Sequence, residues 1–254
     1  MFGITHLRYD RSQFMQSLTP LLSSKPSNLP SRVHDEGAFV ISASCHRLAI
    51  DVETGVVRDE RGPILGAMAL QIAQDPAADE VLTNDPFGLL VGMLLDQQFP
   101  MERAFGGPLK IKDRFGTLSP EKIAAADPEA FADLCATPPA IHRYGRSMAG
   151  RVQQLAVVVW DEYGGDAASI WTTAGSTAEL LKRLKALPGF GDQKARIFAA
   201  LLGKQLGVQP DGWRETIGPY AEPGSFRSVA DVVDEASLQK VREFKKAAKA
   251  AAKG

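Results

Sequence analysis

Leu187-Pro188-Gly189-Phe190-Gly191-Asp192-Gln193-Lys194-Ala195 is the stretch on which the reading of this chain turns. Two glycines two apart let a backbone adopt positive φ and come close to a ligand. The apolar-periodic segment that follows starts as a helix, with unpaired N–H groups and a positive dipole end that suit a phosphate. Upstream, Leu180, Leu181, Leu184 and Leu187 have helical spacing. Ser176 with Glu179 makes a capping-box pattern ahead of them. The unit predicted is helix, hairpin, helix, and a plain helix–helix turn is the bland alternative.

Two further stretches stand at a telling distance. Downstream, Gly207-Val208-Gln209-Pro210-Asp211-Gly212-Trp213 is a Gly/Pro-rich loop whose Asp211 lies eighteen residues after Gln193. On its own, Pro-Asp-Gly is an ordinary turn tripeptide. Upstream, Asp85-Pro86-Phe87-Gly88-Leu89-Leu90-Val91-Gly92-Met93-Leu94-Leu95-Asp96-Gln97-Gln98 is an apolar run that ends in two glutamines. Asp85 suits an N-cap and Pro86 the first helical position.

Taken together and in this order, the three stretches resemble the helix–hairpin–helix base-excision DNA glycosylase superfamily (HhH-GPD). The resemblance runs from about Leu82 to Trp213. Phe190 stands where that family usually has Val or Ile, Ala195 fits, and Gln98 falls on the family's DNA-facing glutamine. Bifunctional members carry a lysine at the position of Gln193 here, and their catalytic Asp lies eighteen residues on, where this chain has Asp211.

The resemblance implies an all-α, two-lobed helical fold over residues 68–254. It implies monofunctional hydrolysis of the N-glycosidic bond of a damaged or mismatched base, with Asp211 as the catalytic carboxylate. Gly189 and Gly191 would hold a DNA phosphate, with Lys194 capping that site or facing solvent, and Gln98 would contact DNA. Gln193 and Gln97 are candidates for the base pocket. Gln97 and Gln98 have a second reading as a polar helix end, and Trp213 is either a pocket wall or a core aromatic. A Schiff base needs an amine, which Gln193 lacks. Some family members hold an iron–sulfur cluster on four cysteines after the catalytic loop. This chain has no Cys after Asp211, so a member without the cluster, and with no cofactor, is expected. The implied partner is double-stranded DNA, bound by a monomer in a cytoplasmic, nucleoid-associated setting. The rival function is a non-catalytic hairpin module that only binds DNA. Asp211 separates the two, because a pure binder gains nothing from a carboxylate beside phosphates.

Composition is compatible and unspecific. The 254 residues are 44% hydrophobic and 23% charged, with a net charge of −1. That charge does not announce a DNA binder. From Lys194 onward, however, 11 Lys/Arg stand against 7 Asp/Glu, and the tail Lys240–Lys249 is basic and helical in composition. That tail reads either as a solvated helix or as a phosphate-contacting arm. Only two cysteines, Cys45 and Cys135, are present, too few for a disulfide framework. His6, His34, His46 and His142 are too scattered for a recognisable metal site. No apolar run approaches the roughly 18 residues of a membrane span, and Met1–Asp10 has no basic segment followed by an apolar one, so no secretory signal is expected.

Residues 1–67 differ from the rest and read as an extension, partly disordered or carrying a small β element. Ser23–Ser31 is linker-like, and Phe39–Ser44 and Leu48–Val52 are candidate strands. Met68–Ala73 is expected to open the helical part. Further helices are expected after Asp85, from Met101, after Ser119 and Asp127, over Ser147–Tyr163, through the hairpin, and over Ser237–Ala251.

Overall fold

Proline and a short polar side chain set the helix starts along this chain. The computed structural model describes the backbone of residues 38–43, 46–51 and 57–59, and residues 69–251 in full. In the second stretch Asp75, Asp85, Ser119 and Asp127 each accept a backbone N–H of the first helical turn, and each is followed by Pro at the first position. A cap of this kind is worth about 1 kcal/mol. These caps open α1 (Pro76–Asn84), α2 (Pro86–Leu95), α5 (Pro120–Ala124) and α6 (Pro128–Ala136). Between them lie α3 (Met101–Phe105) and α4 (Gly107–Phe115). Then come α7 (Gly145–Tyr163), α8 (Ser169–Thr172), α9 (Thr177–Ala186), α10 (Asp192–Gln205), α11 (Trp213–Ile217) and α12 (Glu235–Ala251). Short 3-10 turns cover Gly218–Tyr220 and Val229–Asp231.

Two groups of helices share one apolar core. In the first, α1, α2, α3 and α4 pack together, α4 meets α6, and α5 and α6 flank the long α7, which also meets α2. In the second, α10 is the centre, covered by α9, α11 and both 3-10 turns. Their sequences explain the burial. Every residue of α2 from Phe87 to Leu95 is buried, so α2 is an inner helix rather than an amphipathic one. On α7, Met148, Val152, Leu155 and Val159 form the buried stripe expected for that helix, and Val158 is half-buried. A buried ion pair, Lys204 with Asp231 at 2.5 Å, fixes α10 to the second 3-10 turn, where Asp231 also completes a capping box with Ser228.

The chain divides at Arg61/Gly62 into two compact units. The first contains an antiparallel meander of β1 (Ala38–Ala43), β2 (His46–Asp51) and β3 (Val57–Asp59). Ala38 pairs with Asp51 and Ala43 with His46, and Ile50 pairs with Val57. The third strand was too short to stand out in the sequence. The linker-like Ser23–Ser31 lies outside the described residues. The helical unit has one clear departure from expectation. Ala69–Ala73 is not helical. Leu70 and Ile72 alternate into the core, and two side chains replace helical hydrogen bonding: Leu70 N–H donates to Thr83 Oγ1 and Ala73 N–H to Asp79 Oδ1. Helix α4 is a further element beyond the expected list, and its Pro108 sits in the first turn, where a missing N–H costs no hydrogen bond.

Candidate functional site

The hairpin Leu187–Gly191 joins α9 to α10 and its two glycines do different work. Gly189 has φ +80°, and a Cβ there would stand 2.5 Å from Leu94 Cδ1 at the end of α2. Glycine is required for conformation and for close packing. Gly191 differs from the expectation of positive φ: it is extended, φ −77° and ψ 176°, with open space where a Cβ would lie. It is the N-cap of α10 and supplies no side-chain acceptor. The exposed run Gly191-Asp192-Gln193 therefore presents a bare helix N-terminus to solvent, with the partial positive charge such ends carry. Asp192, the one carboxylate on this turn, is held by Arg196 at 2.9 Å and Lys185 at 3.5 Å. Its hydrogen bond to Arg196 is the main reason its pKa is depressed.

Asp211 is bolted to both hairpin helices. Its carbonyl accepts Thr177 N–H at 3.1 Å, and Ser176 and Asp211 form an isolated parallel bridge, so the loop is stitched to the start of α9. Ser176 itself caps α9 by accepting Glu179 N–H at 3.3 Å. Glu179 reaches one residue further than a capping box requires, to Gly175 N–H at 3.0 Å, and also pairs with Arg183. On the other side, Trp213 is only 4% exposed and its indole N–H donates to Ala199 O at 2.9 Å on α10. Its ring lies against Gly203, where any Cβ would collide with it. This excludes the pocket-wall reading of Trp213: it is a core anchor that fixes the turn after Asp211. The Asp211 carboxylate itself is exposed. Gln193 is exposed too, and donates to the Tyr220 hydroxyl at 3.1 Å.

Lys194 departs from its expected role at the phosphate. One residue on from Gln193 turns it about 100° around the helix, toward the first group of helices. There Lys194 Nζ donates to Met93 O at 2.8 Å and Leu94 O at 2.9 Å. It satisfies the Met93 carbonyl at the end of α2, which has no intrahelical donor, and shares the Leu94 carbonyl with Gln97. Burial pushes its pKa down to about 8, against the opposing pull of Asp96. Burial likewise pushes Asp96 up, opposed by Lys245 and Lys194. Lys194 is thus the rivet between the hairpin and the glutamine corner.

At that corner the two glutamines part company. Gln97 is half-buried and fully engaged: Nε2 donates to Leu94 O at 2.9 Å, Oε1 accepts from Arg151 at 3.3 Å, and its carbonyl pairs with His142 Nε2 at 3.0 Å. It is a structural residue, not a free pocket wall. Gln98 is exposed with φ +51°, a left-handed conformation costly for a side-chain-bearing residue and common at functional sites. Beside it stands a group of residues that sequence reading passed over. The Phe99 and His142 rings lie 4.6 Å apart, His142 and Tyr144 5.8 Å, and Arg143 sits 4.6 Å over the Tyr144 ring. Tyr144 is 51% exposed. The tripeptide His142-Arg143-Tyr144 mixes cation and aromatic as nucleic-acid surfaces do, and was the available signal.

The hairpin, the Asp211 loop and the glutamine corner thus converge through Lys194, Trp213 and Ser176-Thr177. They define a helix–hairpin–helix protein with an exposed carboxylate fixed to the hairpin. Residues 91–251 match the family described as HhH-GPD superfamily base excision DNA repair protein. The chain belongs to that superfamily, a group of DNA-binding repair proteins composed mainly of DNA glycosylases. No curated protein matches the sequence. Among the described residues, no helix is long and apolar enough to cross a membrane, and no group of three or more His, Cys, Asp or Glu is placed to hold a metal ion.

Proposed function

We propose that this chain is a monofunctional DNA glycosylase whose helical unit removes a damaged or mismatched base from duplex DNA. The observation that carries the reading is the Asp211 loop, tied by its backbone to α9 and by Trp213 to α10. A DNA phosphate held by the hairpin would then sit at a fixed offset from a carboxylate. The bare N-terminus of α10 at Gly191 supplies backbone donors for that phosphate, a contact that positions DNA without reading sequence.

In the reaction the C1′–N bond breaks and positive charge grows on the sugar. The Asp211 carboxylate stabilises that charge and orients a water. The water oxygen bonds to C1′, and one water proton ends on the departing base. Gln193 provides no amine for a Schiff base. Lys194, the adjacent amine, is occupied by the carbonyls of Met93 and Leu94. Extruding a nucleotide leaves a gap, costs a few kcal/mol, and is cheapest at a damaged pair. Exposed Gln98 and Tyr144 are the side chains we assign to fill such a gap.

A panel of duplex oligonucleotides tests the reading, each carrying uracil, an alkylated purine, 8-oxoguanine or a mismatched adenine. Alkali after incubation should cut at least one of them, and borohydride should trap no protein–DNA adduct on that substrate. Binding without any alkali-labile site would favour the non-catalytic module. A trapped adduct would contradict monofunctional chemistry.

A further inference from the structure

The distal half of α12 is cationic on one side only. Arg242, Lys245, Lys246 and Lys249 stand at i, i+3, i+4 and i+7, so they share one helix face. Leu238, one turn before Arg242 on that face, is buried, and Arg242 pairs with Glu102 at 2.7 Å. The face that seats the helix thus turns into a lysine stripe as α12 runs on. No acidic residue follows Glu243, and Ala247, Ala248, Ala250 and Ala251 fill the remaining positions beyond Lys245. Lys245, Lys246 and Lys249 are all exposed, and none has an ion-pair partner among the described residues. Like charges four apart, as at Lys245 and Lys249, weaken a helix on its own. The helix dipole favours a cation in the last turn, but it does not gather all three lysines on one side.

The stripe begins at the glutamine corner. Arg242 and Lys245 line one small cavity with Asp96, Phe99 and Glu102, and Asp96 and Phe99 bracket Gln97-Gln98 in the chain. Phe99 is the hub of further charge. Arg103 lies 5.3 Å over its ring, and the ring of His142, the residue before Arg143, is 4.6 Å away. Arg103 and Arg143 are exposed. Exposed cations from α3, from the segment before α7 and from α12 therefore gather round the exposed Gln98. Two carboxyl groups stand among them: Glu102, answered by Arg242, and half-buried Asp96, which feels the Lys245 charge.

We propose that Lys245, Lys246 and Lys249 form a second backbone contact for duplex DNA, taking phosphates beside the glutamine corner, with the Arg242–Glu102 pair as the anchor that aims the helix. The proposal goes beyond the glycosylase reading. It needs duplex DNA as partner, which the superfamily supplies, and no chemistry at Asp211. Lysine ammonium groups on flexible stems suit phosphates as point charges, and such contacts carry no sequence information. Lys245 to Lys249 spans about 6 Å along the helix, a row of cations to set against the closely spaced charges of a duplex. With a net charge of −1 the chain as a whole does not attract DNA, so a local stripe is the means of doing so. A membrane surface fits poorly. Interfacial helices bury large apolar side chains, whereas beyond Glu243 this one has alanines and a single Phe244, whose ring Arg227 covers at 5.3 Å.

The test uses the full chain and a long undamaged duplex, read by fluorescence anisotropy at several salt concentrations. Lys246→Gln/Lys249→Gln should lower the slope of log K against log salt by about 1.8, two phosphates' share, and weaken binding at low salt by at least about fivefold. Its melting curve should match wild type, because both side chains are exposed. Lys112→Gln/Lys122→Gln makes the same change of charge on exposed positions of α4 and α5 and should keep the wild-type slope. Combined with Gly191→Val, the losses of slope should add, since the hairpin and the stripe hold different phosphates. No duplex binding by the wild-type protein, a wild-type slope in the stripe variant, or an equal fall in the control would overturn the assignment. An unchanged slope together with lost binding to phosphatidylglycerol vesicles would overturn it in favour of a membrane surface. The readout does not depend on excision. A duplex panel with no cut base would sink the glycosylase reading and leave this contact standing, and an unchanged slope would leave the Asp211 reading standing.

Discussion

Adding a side chain at Gly189 and at Gly191 in turn separates the hairpin's packing from its ligand contact. At Gly189 an alanine must hold φ +80°, a left-handed conformation that costs about 1–2 kcal/mol for an L-residue. Its Cβ would also press on Leu94 Cδ1 at 2.5 Å, and because Leu94 is fully buried that methyl can give way only by disturbing the core around it. Overpacking of that kind adds about 1–3 kcal/mol. The sum is roughly 2–5 kcal/mol, a fall in melting temperature on the order of 10 °C for a unit of this size. At Gly191 the backbone is extended and the space above it is open. Valine there should cost no more than about 1 kcal/mol, the difference between glycine and an apolar residue at an N-cap, while its branched side chain screens the α10 N-terminus. Duplex affinity should fall alike for damaged and undamaged DNA, and the slope of log K against log salt should drop by about 0.9, one phosphate's share. Thermal melts and fluorescence-anisotropy titrations at several salt concentrations measure both. A Gly189→Ala protein that melts like wild type would refute the packing argument. A Gly191→Val protein with unchanged affinity and salt slope would refute the phosphate site.

Other consequences follow from the same contacts. Gly203→Ala should drive Trp213 from its seat on α10 and cost at least about 2 kcal/mol, with excision falling further than stability accounts for, because the Asp211 turn loses its anchor. Asp192→Asn should raise duplex affinity at low salt, since it removes a carboxylate from the turn that faces the phosphate; lower affinity in an anisotropy titration would show that Asp192 helps to organise the site. His142 is held neutral, with Nδ1 accepting Tyr144 N–H at 3.1 Å, and burial depresses its pKa below 6.5. Its stabilising contribution is therefore complete above about pH 6.5 and is lost as pH falls through 6.5 toward the folded-state value. His142→Asn should flatten the decline in melting temperature across that window, and an unchanged decline would assign it to other groups.

The motifs were legible where chemistry is local. Asp85-Pro86 and Asp127-Pro128 announce helix starts because an N-cap acceptor and a proline act within one turn. The order of hairpin, Asp loop and glutamine run pointed to the family now matched over residues 91–251. What depends on a partner distant in sequence was not legible. Lys194 finds its acceptors about a hundred residues upstream, and nothing in Gln193-Lys194-Ala195 says so. Trp213 becomes a core anchor only because Gly203 leaves room for its ring. Gln97 and Gln98 are adjacent and chemically identical, yet the left-handed turn at Gln98 sends one into a hydrogen-bonded seat and the other to the surface. Glu102 on α3 finds its partner in Arg242 on α12, which returns from the far end of the chain to meet it at 2.7 Å.

The central claim is that Asp211 performs the chemistry, and single-turnover excision by Asp211→Asn tests it most directly. The asparagine keeps the shape of the side chain and leaves the Thr177 and Trp213 contacts of the loop in place, but removes the charge that stabilises the sugar cation. On whichever duplex the wild-type protein processes, the variant should bind with wild-type affinity and excise at least a hundredfold more slowly, the loss of about 2.7 kcal/mol of transition-state stabilisation. Excision at close to the wild-type rate, with binding intact, would contradict the account and place the catalytic group elsewhere.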